Sequence, residues 1–480
     1  MQRNMLDAAP MASRLVVPGA AASAVLLGVL AGTRPTLAVA AAAGTLIMAL
    51  PFIAPATFVT LVVLVGALVP VDVQNRFGLG VGAGASGLLL LDLLIVAGLS
   101  WAVLAIVTRP IDRRTMSVLA LTALFLFLSV VQLAHGLSLG YSPSDAGADM
   151  RNLLGLVTLI LVLPLAMDGE GGRRRLYVGL IVAGLVLGVW GNAQWILGIG
   201  NDFSEEIGIT EGVAQTTSGA GKLMGGRYAF PAAVILAFAA LASRQPRPRS
   251  ATVALIGILV LNSVALLLTF ERAFWLATVF AILLVIMRSG HLQRVRALVW
   301  GGIAVVLVAA AASVVAPGQF VAARERLLSV GQYQTDLSVQ YRVRESGFVI
   351  REIREATVAG SGLGASIFWG RPAEGVPPSA TTYAHNAYLW LAWKLGVPGA
   401  LLLLSLVASV LFIGARRRSM GEAHGTRNGA LGGLLAMLIV GVTAPVFSTV
   451  GASTVIGVLL ALAIAPMKPD AEPSRARAPV

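Results

Sequence analysis

The residues able to do chemistry in this chain are few. Cysteine is absent, which excludes disulfides, thiolate catalysis and Cys-based metal sites, and there are four histidines. His291 and His424 fall in basic connections and read as solvated, whereas His135 and His385 fall at the ends of apolar runs. His385 has the richer setting. The stretch from Thr381 to Leu404 reads TTYAHNAYLWLAWKLGVPGALLLL, so a polar connection carrying Tyr383, His385, Asn386 and Tyr388 gives way there to a long apolar run. An imidazole so placed is a proton acceptor at a membrane surface, where lipid-linked and water-borne reactants both reach it. The other reading of the same residues is an interfacial imidazole that anchors a helix end beside aromatic rings.

The arginines carry the complementary chemistry. Arg272 lies in LLLTFERAFWLATVF, with apolar residues on both sides of Glu271–Arg272. A guanidinium near hydrocarbon is costly and needs a partner or a purpose. Glu271 neutralises it locally, or it snorkels to headgroups, or its planar fork holds a phosphate bidentately. The phosphate reading gains from Arg342 and Arg344, which occur in the same long connection as His385. Arg151 and Asp92, near the ends of apolar runs, read more simply as an interfacial anchor and a capping or packing residue. No Asp-x-Asp pair or acidic cluster suggests a divalent metal, and no cofactor is implied.

The elements that must position these groups are membrane helices. The 480 residues are 57% hydrophobic and 12% charged, against about 45–50% and about 25% in soluble domains. Apolar runs of about 18 residues or more recur along the chain, each long enough to cross a bilayer. The net charge of +13 therefore reads as topology rather than as nucleic-acid affinity. Basic clusters at Arg109, Arg113 and Arg114, at Arg173 to Arg175, at Arg244, Arg247 and Arg249, at Arg288, Arg294 and Arg296, and at Arg416 to Arg418 lie two spans apart. That is the pattern of a chain that returns to the cytoplasm every second crossing. The expectation is an all-α polytopic bundle of about 14 spans, or about 12 on the lower count, with both termini cytoplasmic. No cleavable signal peptide is evident, since the apolar run from Leu15 is followed by another.

The expected organisation is a cytoplasmic N-terminus at 1–14, and about 11 spans over 15–315 with an outer connection at 200–227. A long extracytoplasmic connection at 316–384, about 3 further spans over 385–467 and a disordered cytoplasmic tail at 468–480 follow. Within the long connection, Val339, Val343, Ile350, Ile353 and Val358 recur at mostly helical spacing among charged residues. The pattern predicts an amphipathic helix over 338–356 on or near the outer surface, stopped by Gly360, Gly362 and Gly364. Pro372, Pro377 and Pro378 mark an irregular return to His385.

Three segments, in order, resemble the O-antigen ligase/polymerase superfamily of integral-membrane glycosyltransferases. FERAFWLA resembles the family's outer-face arginine followed by Trp at the head of a helix. SVQYRVRESGFVIREIREATVAGSGLG resembles its loop helix, opened by an arginine and closed by a Gly-x-Gly turn; the spacing aligns Arg342 rather than Arg344, with Gly360 and Gly362 as the turn. AHNAYLWLAWKLGVPGALLLL resembles its His-Asn-x-Tyr-Leu segment, with Gly396 and Gly399 as the Gly-x-x-Gly pair. One departure is Ser346, with Phe348 nearby, where the family commonly has an aromatic residue four positions after the loop arginine.

The resemblance implies transfer of a glycan from a polyprenyl diphosphate, at the outer face of the cytoplasmic membrane, to the hydroxyl of a glycan or lipid acceptor. It implies His385 as base, Arg272 and Arg342, with Arg344 and Arg227 as further candidates, on the diphosphate, and Asn386, Tyr383 and Tyr388 as support. The implied chemistry is metal-independent and inverting, with no cofactor and no nucleic-acid partner. A transporter or flippase of lipid-linked saccharides is the rival from another class, although no internal repeat of the kind transporters carry is evident.

Overall fold

The computed structural model describes residues 35–68, 90–108, 113–167, 170–197, 226–243, 247–315, 337–371, 376–416 and 422–465. The N-terminal segment expected at 1–14, nearly all of the connection expected at 200–227, positions 316–336 of the long connection and the tail from 468 lie outside them. The described residues form 14 helices and one two-stranded sheet. In chain order the helices are α1 (Pro35–Ile53), α2 (Pro55–Leu68), α3 (Leu90–Thr108), α4 (Arg113–Ser138), α5 (Pro143–Ala166), α6 (Glu170–Ile196) and α7 (Ala229–Ala242). The chain continues with α8 (Arg249–Leu268), α9 (Arg272–Arg288), α10 (His291–Val315), α11 (Leu337–Glu355), the strands β1 (Ile367–Arg371) and β2 (Val376–Thr381), then α12 (Ala387–Arg416), α13 (Glu422–Val440) and α14 (Val450–Ile464).

Seven helices, α3, α4, α5, α6, α8, α10 and α12, are long and apolar enough to cross a membrane, and α1, α2, α7 and α14 carry shorter apolar stretches. They make a multi-pass membrane bundle with an inside-out logic suited to lipid. Helix α14 is apolar on every side and is buried from Val450 to Ile464 apart from Gly451, which makes it the central post. Helix α5, 78% buried over its most apolar window, packs along it at small residues; a Cβ on Gly457 would come within 2.9 Å of the Leu156 carbonyl. Helix α10, only 11% buried, presents Val305, Val306 and Val314 outward, apolar side chains that lipid rather than water accommodates.

Arg288, one of the arginines of the basic connections, brings the ends of α9, α12 and α13 together at one end of the bundle. Arg288, closing α9, donates to the carbonyl of Ala415 at the end of α12 and to Oδ1 of Asn428 in α13, each at 3.2 Å. The opposite end carries the turn between α8 and α9, the connection between α13 and α14, and α11.

Helix α11 is where expected, but its protein-facing side is not made by the valines that announced it. Val343 and Val358 are 65% and 74% exposed, whereas Glu345 and Val349 are buried and Tyr341, Phe348 and Ile353 half-buried. The apolar residues predicted on periodicity therefore lie largely on the outward side, as a helix at a membrane surface allows. The return from α11, expected to be irregular, contains an antiparallel hairpin that pairs Ile367 with Thr381 and Phe368 with Ala380.

Backbone chemistry locks this connection to α12. The sequence Gly396-Val397-Pro398 breaks the α12 ladder, since Gly396 takes φ 71° and Pro398 has no N–H to donate. The freed carbonyls of Trp393 and Lys394 accept instead from the N–H groups of Ser361 (2.8 Å) and Gly362 (3.1 Å), and Val397 N–H donates to the carbonyl of Thr357 at 2.8 Å. Polar backbone in a lipid-facing bundle must be satisfied internally, and here two broken segments satisfy each other. Close approach requires glycine on both sides: a Cβ on Gly360 would lie 2.4 Å from the Gly396 nitrogen, and one on Gly396 2.2 Å from the Val358 carbonyl.

Candidate active site

His385 precedes α12, and the residues around it explain why it holds one orientation. Asn386 caps the helix, its side-chain oxygen accepting from the N–H groups of Tyr388 (3.0 Å) and Leu389 (3.1 Å). Tyr388 donates its hydroxyl to the carbonyl of Leu438 in α13, and the Trp390 indole donates to the carbonyl of Thr382 at 3.1 Å. On the other side stands Glu345 of α11, 1% exposed. Its carboxylate accepts from the His385 backbone N–H at 2.9 Å and meets the ring Nδ1 at 3.0 and 3.1 Å. Tyr341 and Tyr383 stand edge-on to the imidazole, with centroids 5.9 and 5.5 Å away. The ring is thus walled by two phenols and held by one carboxylate, and its side chain is 14% exposed.

A second polar cluster forms where α8 turns into α9. Thr269 and Phe270 make the reversal, Phe270 at the unusual φ of 52° with its ring buried, and the Trp275 indole closes the turn on the Leu266 carbonyl at 2.8 Å. Glu271 is engaged by Arg227, Nη1 to Oε1 at 2.7 Å, with both side chains 17% exposed. The carboxylate considered as the local partner of Arg272 is thus engaged by Arg227, and Arg272 follows it directly in sequence. Arg272 also opens α9, where the helix dipole already presents its positive end. Two guanidinium groups, one carboxylate and a helix N-terminus leave this corner electropositive, a setting that suits an anion.

The connection between α13 and α14 joins the two clusters. On the His385 side, Ala387 N–H donates to the carbonyl of Gly441 at 2.9 Å, and the Tyr388 ring lies against Phe447, centroids 6.4 Å apart. On the arginine side, Arg227 Nη2 donates to the Tyr228 hydroxyl at 3.0 Å, and that hydroxyl also meets the Thr449 side chain. Asn152 of α5 fixes the same connection by donating to the carbonyl of Ser448 at 2.9 Å.

Of the loop arginines, Arg342 is half-buried three residues before Glu345, while Arg344 is exposed on another side of α11. Arg151 and Asp92 pair with each other in a bidentate fork, at 2.6 and 3.0 Å, which ties α5 to α3. Hydrogen bonds and ion pairs thus unite His385 with Glu345 and Arg227 with Glu271. Arg272 and Arg342 enter through position, one residue after Glu271 and three before Glu345.

Sequence reasoning missed Glu345, Thr449 and the ion pair of Lys394 with Asp149. The pair had a signal, for Lys394 is a charge inside the apolar run LWLAWKLGV and such residues ask for a partner. Lys394 Nζ meets Asp149 Oδ2 at 2.8 Å and donates to the Ala365 carbonyl, while Gly364 N–H donates to the same Asp149 oxygen at 2.8 Å. The pair is a rivet through α12, α5 and the turn after α11. Glu345 carried no such flag, being one of several acids on a charged helix. Among the described residues no group of three or more His, Cys, Asp or Glu stands ready to hold a metal ion.

Residues 257–404 match the family model described as O-Antigen ligase. This part of the chain, from within α8 to within α12, is O-antigen ligase-like, and it contains Arg272, Arg342, Arg344, Glu345, His385 and Lys394. Arg227, Asp149 and the connection around Thr449 lie outside it. No curated protein matches the chain. The match and the multi-pass bundle together support a membrane glycosyltransferase-like function in polysaccharide biosynthesis.

Proposed function

We propose that this O-antigen ligase-like chain transfers a glycan from a polyprenyl diphosphate to an acceptor hydroxyl at the outer face of the cytoplasmic membrane. The observation that carries the reading is His385: an imidazole fixed at the head of a membrane helix, beside a connection whose far side carries an electropositive corner. In this reading His385 takes the proton of the acceptor hydroxyl. Arg272 and Arg342, with Arg227 in support, hold the diphosphate and stabilise the charge that grows on it as the glycosidic bond breaks. Arg344, exposed on α11, has the weaker claim. The acceptor oxygen attacks the anomeric carbon from the face opposite the diphosphate, so configuration inverts, and the arginines supply the electrostatics without a metal. The basic end of the bundle is cytoplasmic, both termini with it, and the His385 end is extracytoplasmic.

The test is a transfer assay with purified protein in lipid nanodiscs, given a polyprenyl-diphosphate-linked glycan and a glycan or glycolipid acceptor. Wild-type protein yields a glycoside and free polyprenyl diphosphate, and H385A lowers the rate by about 10²- to 10⁴-fold, the range for loss of a general base. Full transfer by H385A overturns the base assignment. Movement of intact donor across a vesicle membrane with no product formed selects the transporter reading instead.

A further inference from the structure

Glu345 is a buried carboxylate whose hydrogen-bond partners among the described residues are both on His385. Its oxygens meet the backbone N–H of His385 at 2.9 Å and the ring Nδ1 at 3.0 and 3.1 Å, and the side chain is 1% exposed. A carboxylate in its ionised form only accepts hydrogen bonds; against that form Nδ1 is the donor, and a neutral ring then keeps its lone pair on Nε2. The backbone contact fixes the residue's position and the ring contact fixes the plane, with Tyr341 and Tyr383 bounding it. The carboxylate comes from α11 and the histidine from the head of α12, so the dyad forms only when the long connection is docked.

We infer that Glu345 is the positioning residue of a carboxylate–imidazole dyad and that Nε2 of His385 is the atom that receives the acceptor's proton. The inference rests on the proposed transfer reaction and names its proton path. As the acceptor oxygen forms its bond to the anomeric carbon, its proton passes to Nε2, and the carbon–oxygen bond to the diphosphate breaks with its electron pair leaving on the phosphate oxygen. The ring is then an imidazolium, its new positive charge held against the Glu345 carboxylate, until Nε2 releases the proton to water. A carboxylate in this place serves twice: it selects the tautomer before the step and stabilises the cation formed by it. It touches neither reactant.

The test combines kinetics with a measurement on unaltered protein. In the nanodisc assay, E345Q keeps a hydrogen-bond acceptor but loses the charge; its kcat falls by about 10²-fold or more while KM for the donor stays within about twofold. E345D, which restores the charge on a shorter arm, recovers part of that loss. Wild-type kcat in a folded E345Q, while H385A is inactive, overturns the inference and leaves the transfer reading standing. Full transfer by H385A overturns the reading itself. Wild-type protein carrying 15N-histidine in nanodiscs supplies the independent readout, with the His385 signals assigned by their loss in H385A. The neutral ring shows its proton on Nδ1; a neutral ring protonated on Nε2 sinks the inference whatever the variants do.

Discussion

Arg342 and Glu345 are three residues apart on α11, and helical geometry puts such residues on neighbouring ridges of one face. Arg344, one residue before Glu345, points about a quarter turn away. The two arginines are adjacent in sequence and differ in consequence: the half-buried one shares the side of the helix that meets His385, and the exposed one does not. Loss of a charge-assisted hydrogen bond costs about 1.5–3 kcal/mol. Affinity of the nanodisc-embedded protein for a polyprenyl diphosphate, measured by titration, therefore falls about 10- to 100-fold in R342A and less than about twofold in R344A. Equal losses remove the distinction, and no loss in R342A removes it from the diphosphate site. The motif spacing in the chain favours Arg342 for the diphosphate, but the difference in exposure between the two arginines was not legible there. Glu345 was not legible. An acid among Arg342, Arg344, Arg351, Glu352 and Glu355 reads as one charge in a solvated series, and only the docking of α11 on the head of α12 singles it out.

The elements hold the site through a mutual repair of broken backbone. Gly396 and the turn around Gly360 each leave groups that the other satisfies, and the Lys394–Asp149 pair rivets the same junction. Two glycine substitutions separate backbone strain from collision. Gly140 has φ 83° with nothing within 4 Å of an added Cβ, whereas Gly396 has φ 71° and an added Cβ 2.2 Å from the Val358 carbonyl. G140A thus costs only the left-handed penalty of about 1–2 kcal/mol, while G396A also has to push the α11 connection away. Hydrogen exchange over 356–365 accelerates in G396A and stays at the wild-type rate in G140A. Removing one partner of the rivet is graver: K394M leaves Asp149 buried and unpaired, at about 3–5 kcal/mol, and the double variant K394M/D149L recovers most of that loss in thermal unfolding. A double variant no more stable than K394M denies the pair its role. The Gly-x-x-Gly and triple-glycine patterns were visible in the sequence, but what they touch was not, because the matching segments are more than thirty residues apart. The hairpin was hidden for a local reason: β2 reads VPPSAT, and two prolines argue against a strand unless it lies at an edge, which a two-stranded sheet always provides.

At the scale of the whole molecule, the hydropathy that announced the bundle also explains its interior. Residues facing lipid and residues facing α14 are equally apolar, so the sequence delivers the helices but not their neighbours. That is why α10 and α14, each with a long apolar stretch, stand at the rim and at the centre. Polar signals are what distinguish the ends. The contact of Arg288 with Ala415 and Asn428 gathers α9, α12 and α13 at the basic end, and the His385 and Arg227 clusters lie a helix length away. The proposed orientation rests on charge, since translocating short arginine-rich loops is disfavoured. The absence of cysteine makes this testable without background labelling. Single cysteines at Arg174 and Arg296, exposed at the basic end, and at Arg354, exposed on α11, are to be probed with a membrane-impermeant maleimide in intact cells. R354C labels at once, and R174C and R296C label only after permeabilisation. The reverse pattern would put His385 in the cytoplasm, where an outer-leaflet donor never arrives. Uniform labelling of all three would mean that the alternation of helices has been misjudged, and with it the proposed sharing of one surface by the arginines and the dyad.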